Sequence, residues 1–175
     1  MHPGYNHIHK VIHMEPMSIS TGYPMLFSER CDCTLQALPF CYFASALCVP
    51  WVDAARQLLS GLEYMASRGV CHEDIKRDNV LCTLQPGTGL YHYVYTDFGL
   101  SERRNDDEAF KSDLASLTRM LRALPDNVAS QGLTFRACLG DFNGKQASFP
   151  SLLCELKGAI AADLGWDVHL KGCLT

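Results

Sequence analysis

The amino-acid sequence predicts a single α+β domain, and three observations support this prediction. A chain of 175 residues has the size at which one hydrophobic core forms. Short runs of β-branched and aromatic residues, bounded by turn residues, occur in the first hundred positions and predict strands. Longer segments carry apolar residues at helical spacing.

Two short strands are predicted near the N-terminus. His2-Pro3-Gly4 indicates a turn, and residues 8–14 follow it as the first strand. Residues 23–28 form the second predicted strand, and the turn-rich residues 18–22 separate the two.

The strongest helical pattern covers residues 51–68. Its apolar positions are Val52, Ala55, Leu58, Leu59, Leu62, Met65 and Ala66. Pro50 is typical of a helix start, with Asp53 expected in the first turn. Arg68 is expected in the last turn, and Gly69 suits the C-terminal cap.

A hairpin and two more helices are predicted further along the chain. Residues 80–83 and 91–95 read as strands joined by a turn at residues 85–89. Helical spacing then recurs over residues 110–124 and 151–164.

The polar residues around the predicted hairpin form two motifs. The first reads His72-x-Asp74-x-Lys76-x-x-Asn79, and Asp97-Phe98-Gly99 follows Asn79 by eighteen residues. The hairpin would place Asn79 and Asp97 at adjacent strand ends. Both side chains could then reach one metal ion.

These motifs, in this order and spacing, resemble the catalytic loop and the metal-binding loop of the protein kinase superfamily. The resemblance covers roughly residues 1–124 and is most specific over residues 58–117. It implies a protein-kinase-like α+β fold, with a mostly helical large lobe and a remnant of the β-rich small lobe. Residues 1–175 are then one domain, in which 1–30 are the small-lobe remnant and hinge and 31–175 the large lobe.

The resemblance also assigns catalytic roles. Asp74 would accept the proton of the substrate hydroxyl, and Lys76 would contact the transferred phosphate. Asn79 and Asp97 would hold Mg²⁺. His72 would pack under Phe98.

Nucleotide binding and support for the catalytic loop follow from the same resemblance. The implied ATP-binding residues are Glu29, Cys31, Lys76, Asn79 and Asp97. Glu29 and Cys31 belong to the segment that resembles the hinge, where backbone groups contact adenine. Asp113, in Ser112-Asp113-Leu114-x-Ser116-Leu117, would anchor the backbone of the catalytic loop. An aspartate at this point also suits a helix N-cap.

Four departures from the kinase pattern bear on activity. No G-x-G-x-x-G loop precedes the hinge segment, and the small-lobe lysine with its glutamate partner is missing. Glu73 replaces the arginine that normally pairs with a loop phosphate, and a glutamate would repel that phosphate. Only about a dozen residues separate Gly99 from Asp113, and there is no A-P-E motif.

The functional expectation is an ATP- and Mg²⁺-dependent serine/threonine protein kinase of reduced size. One alternative is a catalytically impaired pseudokinase that binds other proteins. Another is a small-molecule phosphotransferase of the antibiotic- or choline-kinase type. Lys76 and the literal Asp97-Phe98-Gly99 favour the protein-kinase branch.

Composition narrows the expected partners and location. The net charge of -4 gives no basic footprint for nucleic acid, and no apolar run is long enough to span a membrane. The N-terminus lacks a signal-peptide pattern, which favours an intracellular protein of the cytoplasm or nucleus. Nine cysteines, mostly inside apolar runs, indicate free, buried thiols and not a disulfide framework. A protein substrate is expected, or a protein partner that completes the small lobe.

Overall fold

The computed structural model describes residues 3–15, 25–38, 49–123, 133–141 and 146–164, and it has the expected α+β fold. The strands in these ranges are β1 (Val11–Glu15), β2 (Met25–Ser28), β3 (Cys33–Thr34), β4 (Val70–Cys71), β5 (Val80–Leu84), β6 (Tyr91–Tyr95) and β7 (Glu102–Arg103). The helices are α1 (Val49–Ser67), α2 (Asp107–Arg122), α3 (Leu133–Asp141) and α4 (Phe149–Asp163).

β1 and β2 form a separate antiparallel pair. The predicted first strand begins at Val11 and not at residue 8, and Pro3–His7 before it form a 3-10 helix that packs on α1. Ile8 then makes a parallel bridge to Tyr95. The predicted turn at residues 18–22 lies outside the described residues.

The predicted hairpin is confirmed, with β5 and β6 antiparallel over their whole length. Val80 pairs with Tyr95 at the end that carries the polar motifs. β3 joins the other edge of β5 and completes a three-stranded sheet. The register therefore places the residue before β5 beside the residue after β6.

Helix α1 is the predicted helix, with small differences at its ends. It begins at Val49, so Asp53 lies beyond the first turn and accepts hydrogen bonds from the side chains of Arg56 and Gln57. It ends at Ser67, before Arg68. Gly69 has the positive φ of 63° expected of a C-terminal cap, and a side chain there would meet Asn105.

The core lies between α1, α2, α4 and the three-stranded sheet. Its largest fully buried side chains are Trp51, Tyr93, Tyr95, Phe135, Leu58, Leu59, Leu62, Leu114, Leu117, Leu121, Leu139 and Leu156. Each buried leucine stabilises the fold by about 2 kcal/mol relative to exposure. Most of these positions belong to α1 and α2, so the two helices form the rigid base under the polar motifs.

The later helices agree with the prediction in part. α2 and α4 correspond to the helices predicted at 110–124 and 151–164, and α3 was not predicted. No helix among the described residues is both long and apolar enough to cross a bilayer. The described cysteines are free thiols, as expected: Cys31, Cys33, Cys71, Cys82, Cys138 and Cys154. The expected burial holds for Cys71 and Cys82, while the other four are partly exposed.

Candidate active site

The catalytic-loop motif lies between β4 and β5 and is fastened to α2 through Asp113. One carboxylate oxygen of Asp113 accepts the backbone amide of His72 at 2.6 Å, and the other accepts the amide of Glu73 at 3.0 Å. The anchoring role expected for Asp113 is confirmed. The N-cap interpretation is wrong, because α2 begins at Asp107 and the side chain of Asp106 caps it through Ala109.

Burial and hydrogen bonding act in opposite directions on Asp113. Its side chain is 2% exposed, and this desolvation raises the pKa of the carboxyl, while the two amide donors lower it. Glu73, one of the anchored residues, has a φ of 64°, a conformation that residues other than glycine seldom adopt. The anchor therefore holds the loop in a specific, strained shape.

Asp74, Lys76 and Asn79 form one hydrogen-bonded cluster. Oδ2 of Asp74 accepts the ammonium of Lys76 at 2.6 Å and the side-chain amide of Asn79 at 2.8 Å. Asn79 also donates to the carbonyl of Asp74 at 3.0 Å. The hydrogen bond from Lys76 is the largest cause that lowers the pKa of Asp74, and it raises the pKa of Lys76 in return.

The structure places Asn79 and Asp97 at adjacent strand ends, as the hairpin predicted. Asn79 precedes β5 and Thr96 follows β6, and the amide of Thr96 donates to the carbonyl of Asn79 at 3.0 Å. Asp97 has a φ of 60°, and its carboxylate accepts the amide of Gly99 at 3.4 Å. The nitrogen of the Asn79 amide donates to Asp74, so the oxygen is the atom of this side chain that could contact a metal ion. This oxygen and the Asp97 carboxylate are hard donors that fit Mg²⁺.

His72 packs against Phe98, as the resemblance implied. The two rings are 4.8 Å apart between centroids, at an angle of 45°. Nε2 of His72 lies 2.9 Å from the carbonyl oxygen of Thr96, which can only accept. His72 is fully buried, so this contact joins the catalytic loop to the metal loop inside the protein.

Glu29 and Cys31, the residues that the resemblance assigns to the hinge, lie between β2 and β3. The segment is tied to the main sheet, since the amide of Asp32 donates to the carbonyl of Cys82 at 2.9 Å. The carbonyl of Glu29 accepts the imidazole of His9 at 2.9 Å. His9 also lines a cavity of about 560 Å³ that reaches Asp97. Sequence reasoning did not identify His9, because its contacts come from residues distant in the chain.

The loop after Asp97-Phe98-Gly99 is fixed along its length. β7 pairs with β4, and the hydroxyl of Ser101 donates to the carbonyl of His72 at 3.2 Å. The amide of Arg104 donates to the carbonyl of Gly69 at 2.9 Å. This charged segment is therefore held against the start of the catalytic loop.

Comparison with known proteins agrees with this geometry. The family model for the protein kinase domain matches residues 7–122. The chain is 32% identical over 82 residues to the mitogen-activated protein kinase kinase kinase bck1 of Aspergillus fumigatus, an alignment that covers 47% of the chain and 5% of that protein. It is 34% identical over 83 residues to a probable myosin light chain kinase of Dictyostelium discoideum, covering 47% and 21% of the two chains.

A third relative is the serine/threonine-protein kinase STE20 of Saccharomyces cerevisiae. Identity is 43% over 51 residues, which are 29% of the chain and 5% of that protein. The chain thus spans only a small part of each of these relatives.

Proposed function

The chain belongs to the protein kinase family, and we propose that it is an ATP- and Mg²⁺-dependent serine/threonine protein kinase of reduced size. It would transfer the γ-phosphate of ATP to a hydroxyl group of a protein substrate. The observation that carries this proposal is the hydrogen-bonded cluster of Asp74, Lys76 and Asn79 beside the Asp97 turn. The relatives named serine/threonine kinases support the substrate class.

Asp74 is the proposed proton acceptor. The hydrogen bonds that its carboxylate accepts within the described part of the chain both fall on Oδ2, which leaves Oδ1 to the substrate hydroxyl. The carboxylate is ionised at neutral pH, as an aspartate of ordinary pKa also is, and can therefore accept the proton. Lys76 lowers the pKa of Asp74 further while it stays bound to it. Asn79 keeps the carboxylate oriented when Lys76 moves away.

Asn79 and Asp97 are the proposed metal ligands. Mg²⁺, when bound, would neutralise charge on the ATP phosphates. Lys76 has a half-exposed side chain, and its ammonium can turn from Asp74 toward the transferred phosphate. Asn79 is buried and stays in place, so the site combines one mobile cation with a fixed metal ligand.

The backbone of Glu29 and Cys31 is the proposed adenine contact. The carbonyl of Glu29 has two lone pairs, one of which receives His9. The second lone pair can accept the amino group of adenine. The cavity between His9, Ser28 and Asp97 extends from this end of the site to Asp97, one of the two proposed metal ligands.

The direct test is transfer of labelled phosphate from ATP to a library of serine and threonine peptides. We expect Mg²⁺-dependent transfer, lowered at least about 100-fold by Asp74→Asn, which cannot act as the base. Asp78→Asn, an exposed neighbour in the same loop, is the control and should retain activity. Equal activity in Asp74→Asn, or transfer only to small alcohols or aminoglycosides, would contradict the proposal.

A second candidate is a protein-binding module, and the β1–β2 pair favours it. Its exposed apolar side chains are Val11 at 57%, Ile12 at 68%, Met14 at 56%, Leu26 at 65% and Phe27 at 45%. A partner that completes the small lobe would cover this pair, which exposes apolar side chains from both of its strands. Absence of ATP binding by the chain, together with partner binding lost in Ile12→Glu, would favour this candidate over catalysis.

A further inference from the structure

We infer that His9 is a positioning residue that couples the hinge to the catalytic loop through a directional chain of hydrogen bonds. The inference rests on the proposed function, since it concerns how that site is held together. Its starting observation is the position of the His9 ring. Nε2 lies 2.9 Å from the carbonyl oxygen of Glu29, and Nδ1 lies 3.1 Å from the hydroxyl of Thr96.

The chemistry of the partners fixes the direction of the first two links. A carbonyl oxygen can only accept, so Nε2 of His9 carries the proton that it donates to Glu29. In the singly protonated ring Nδ1 is then an acceptor, and the Thr96 hydroxyl donates to it. Thr96 is the residue immediately before the proposed metal ligand Asp97.

Two further hydrogen bonds connect Thr96 with Asp74. The carbonyl of Thr96 accepts Nε2 of His72 at 2.9 Å, which leaves Nδ1 of His72 as an acceptor. The backbone amide of Asp74 points at that nitrogen at 3.4 Å. Both histidines therefore have their proton on Nε2. The links run in one direction from Asp74 through His72 to the carbonyl of Thr96, and again from the hydroxyl of Thr96 through His9 to Glu29. The covalent framework of Thr96 joins these two runs.

The backbone holds His9 in the position that this chain requires. Its amide donates to the carbonyl of Tyr95 at 2.8 Å, and Ile8 forms a bridge to the same residue. His9 therefore sits on the end of β6, beside Thr96. The side chain of His9 also donates to the carbonyl of Glu29. Adenine bound at that carbonyl would share it with His9, and through His9 would be connected to Asp74.

The functional test compares substitutions at the two central links. His9→Phe keeps the ring shape and removes both hydrogen bonds, while Thr96→Val keeps the branched shape and removes only the hydroxyl. We expect each to weaken ATP affinity and lower kcat about fivefold. Because both break one chain, the double variant should be little worse than either single variant. His9→Gln, which can donate and accept, should recover part of the loss.

The control is His13→Phe. His13 is an exposed residue of β1, and its substitution should leave the ATP affinity and kcat unchanged. Three results would overturn the inference. They are unchanged ATP affinity in His9→Phe, tighter ATP binding in it, or fully additive losses in the double variant. Tighter binding would mean that His9 competes with adenine for Glu29.

A ligand-free measurement separates this inference from the proposed function. Nitrogen-15 NMR of the histidine rings should find both His9 and His72 protonated at Nε2. Thr96→Val should change the nitrogen-15 chemical shift of Nδ1 in His9, and His9→Phe should change the chemical shift of the backbone amide of Asp74. If these shifts occur without any ATP binding, the chain of hydrogen bonds stands and the proposed kinase activity fails. A proton on Nδ1 of either ring contradicts the chain whatever the activity.

Discussion

The carboxylate of Glu73 faces the guanidinium of Arg104, with 3.8 Å between Oε1 and Nη1. Glu73 stands where the kinase pattern has an arginine, and the sequence interpretation was that it would repel a phosphate on the loop. The loop instead presents a cation, which is also bonded to Asp106 at 2.9 Å. The charges are reversed relative to the pattern, and the attraction needs no phosphate.

This reversed pair predicts how charge changes affect activity. Both side chains are partly exposed, so we expect Glu73→Arg and Arg104→Glu each to lower the phosphotransfer rate about two- to fivefold. The double variant restores the attraction between positions 73 and 104 but not the bond to Asp106, so it should recover part of the rate. Phosphatase treatment of the native chain should change nothing. Additive losses in the double variant, or a need for loop phosphorylation, would refute this role.

Asp113 is predicted to be the stability anchor of the catalytic loop. Asp113→Asn leaves one acceptor oxygen for two buried amides, and its own amide group faces one of them. We expect the free energy of unfolding to fall by about 1–3 kcal/mol, measured by urea denaturation. Glu108→Gln, on an exposed position of the same helix, should change it by less than about 0.5 kcal/mol. If both variants lowered the free energy of unfolding equally, Asp113 would not be a specific anchor of the catalytic loop.

His7 is predicted to make stability depend on pH. Burial lowers its pKa from 6.5 to about 4, so below pH 6.5 the unfolded chain binds a proton that the folded chain does not. Stability should therefore fall as the pH drops from about 6.5 to 4, by at most about 3 kcal/mol. His7→Gln retains a donor for the carbonyl of Tyr93 and should flatten this slope. Urea unfolding at several pH values measures it, and an unchanged slope would contradict the assignment.

Lys76 is predicted to control the pKa of Asp74. Lys76→Met removes the largest cause of the lowered value, so the pKa of Asp74 should rise toward its ordinary range. Lys76→Arg keeps the cation and should leave it low. Carbon-13 NMR titration of the Asp74 carboxyl measures both variants. The same midpoint in Lys76→Met and the native chain would show that Lys76 does not set this pKa.

The hairpin and the two motifs were predictable because their signals are local. Strand patterns on both sides of a turn fix the register of β5 and β6, and that register brings Asn79 beside Thr96. The helical stripe of α1 was equally clear. Its ends were misplaced by one or two residues, since caps depend on backbone geometry more than on residue type.

The remaining features depend on contacts between residues distant in sequence. His9 forms hydrogen bonds with Glu29 and Thr96, which lie 20 and 87 residues away in the sequence. The residue pattern around His9 does not indicate either contact. Arg104 lies in a charged segment that resembles any solvated loop until the pairing of β7 with β4 places it near Glu73. Helix α3 was missed because its apolar residues do not form a clear one-sided stripe.

Calorimetric titration of the chain with ATP, in the presence and absence of Mg²⁺, tests whether the chain binds ATP through a metal ion held by Asp97. Asp97→Asn removes the charge of the proposed metal ligand, and Glu102→Gln neutralises an exposed carboxylate in the same loop. We expect Mg²⁺-dependent binding of ATP, which Asp97→Asn should abolish and Glu102→Gln should retain. No binding by the native chain, or binding indifferent to Mg²⁺ and to Asp97, would contradict it.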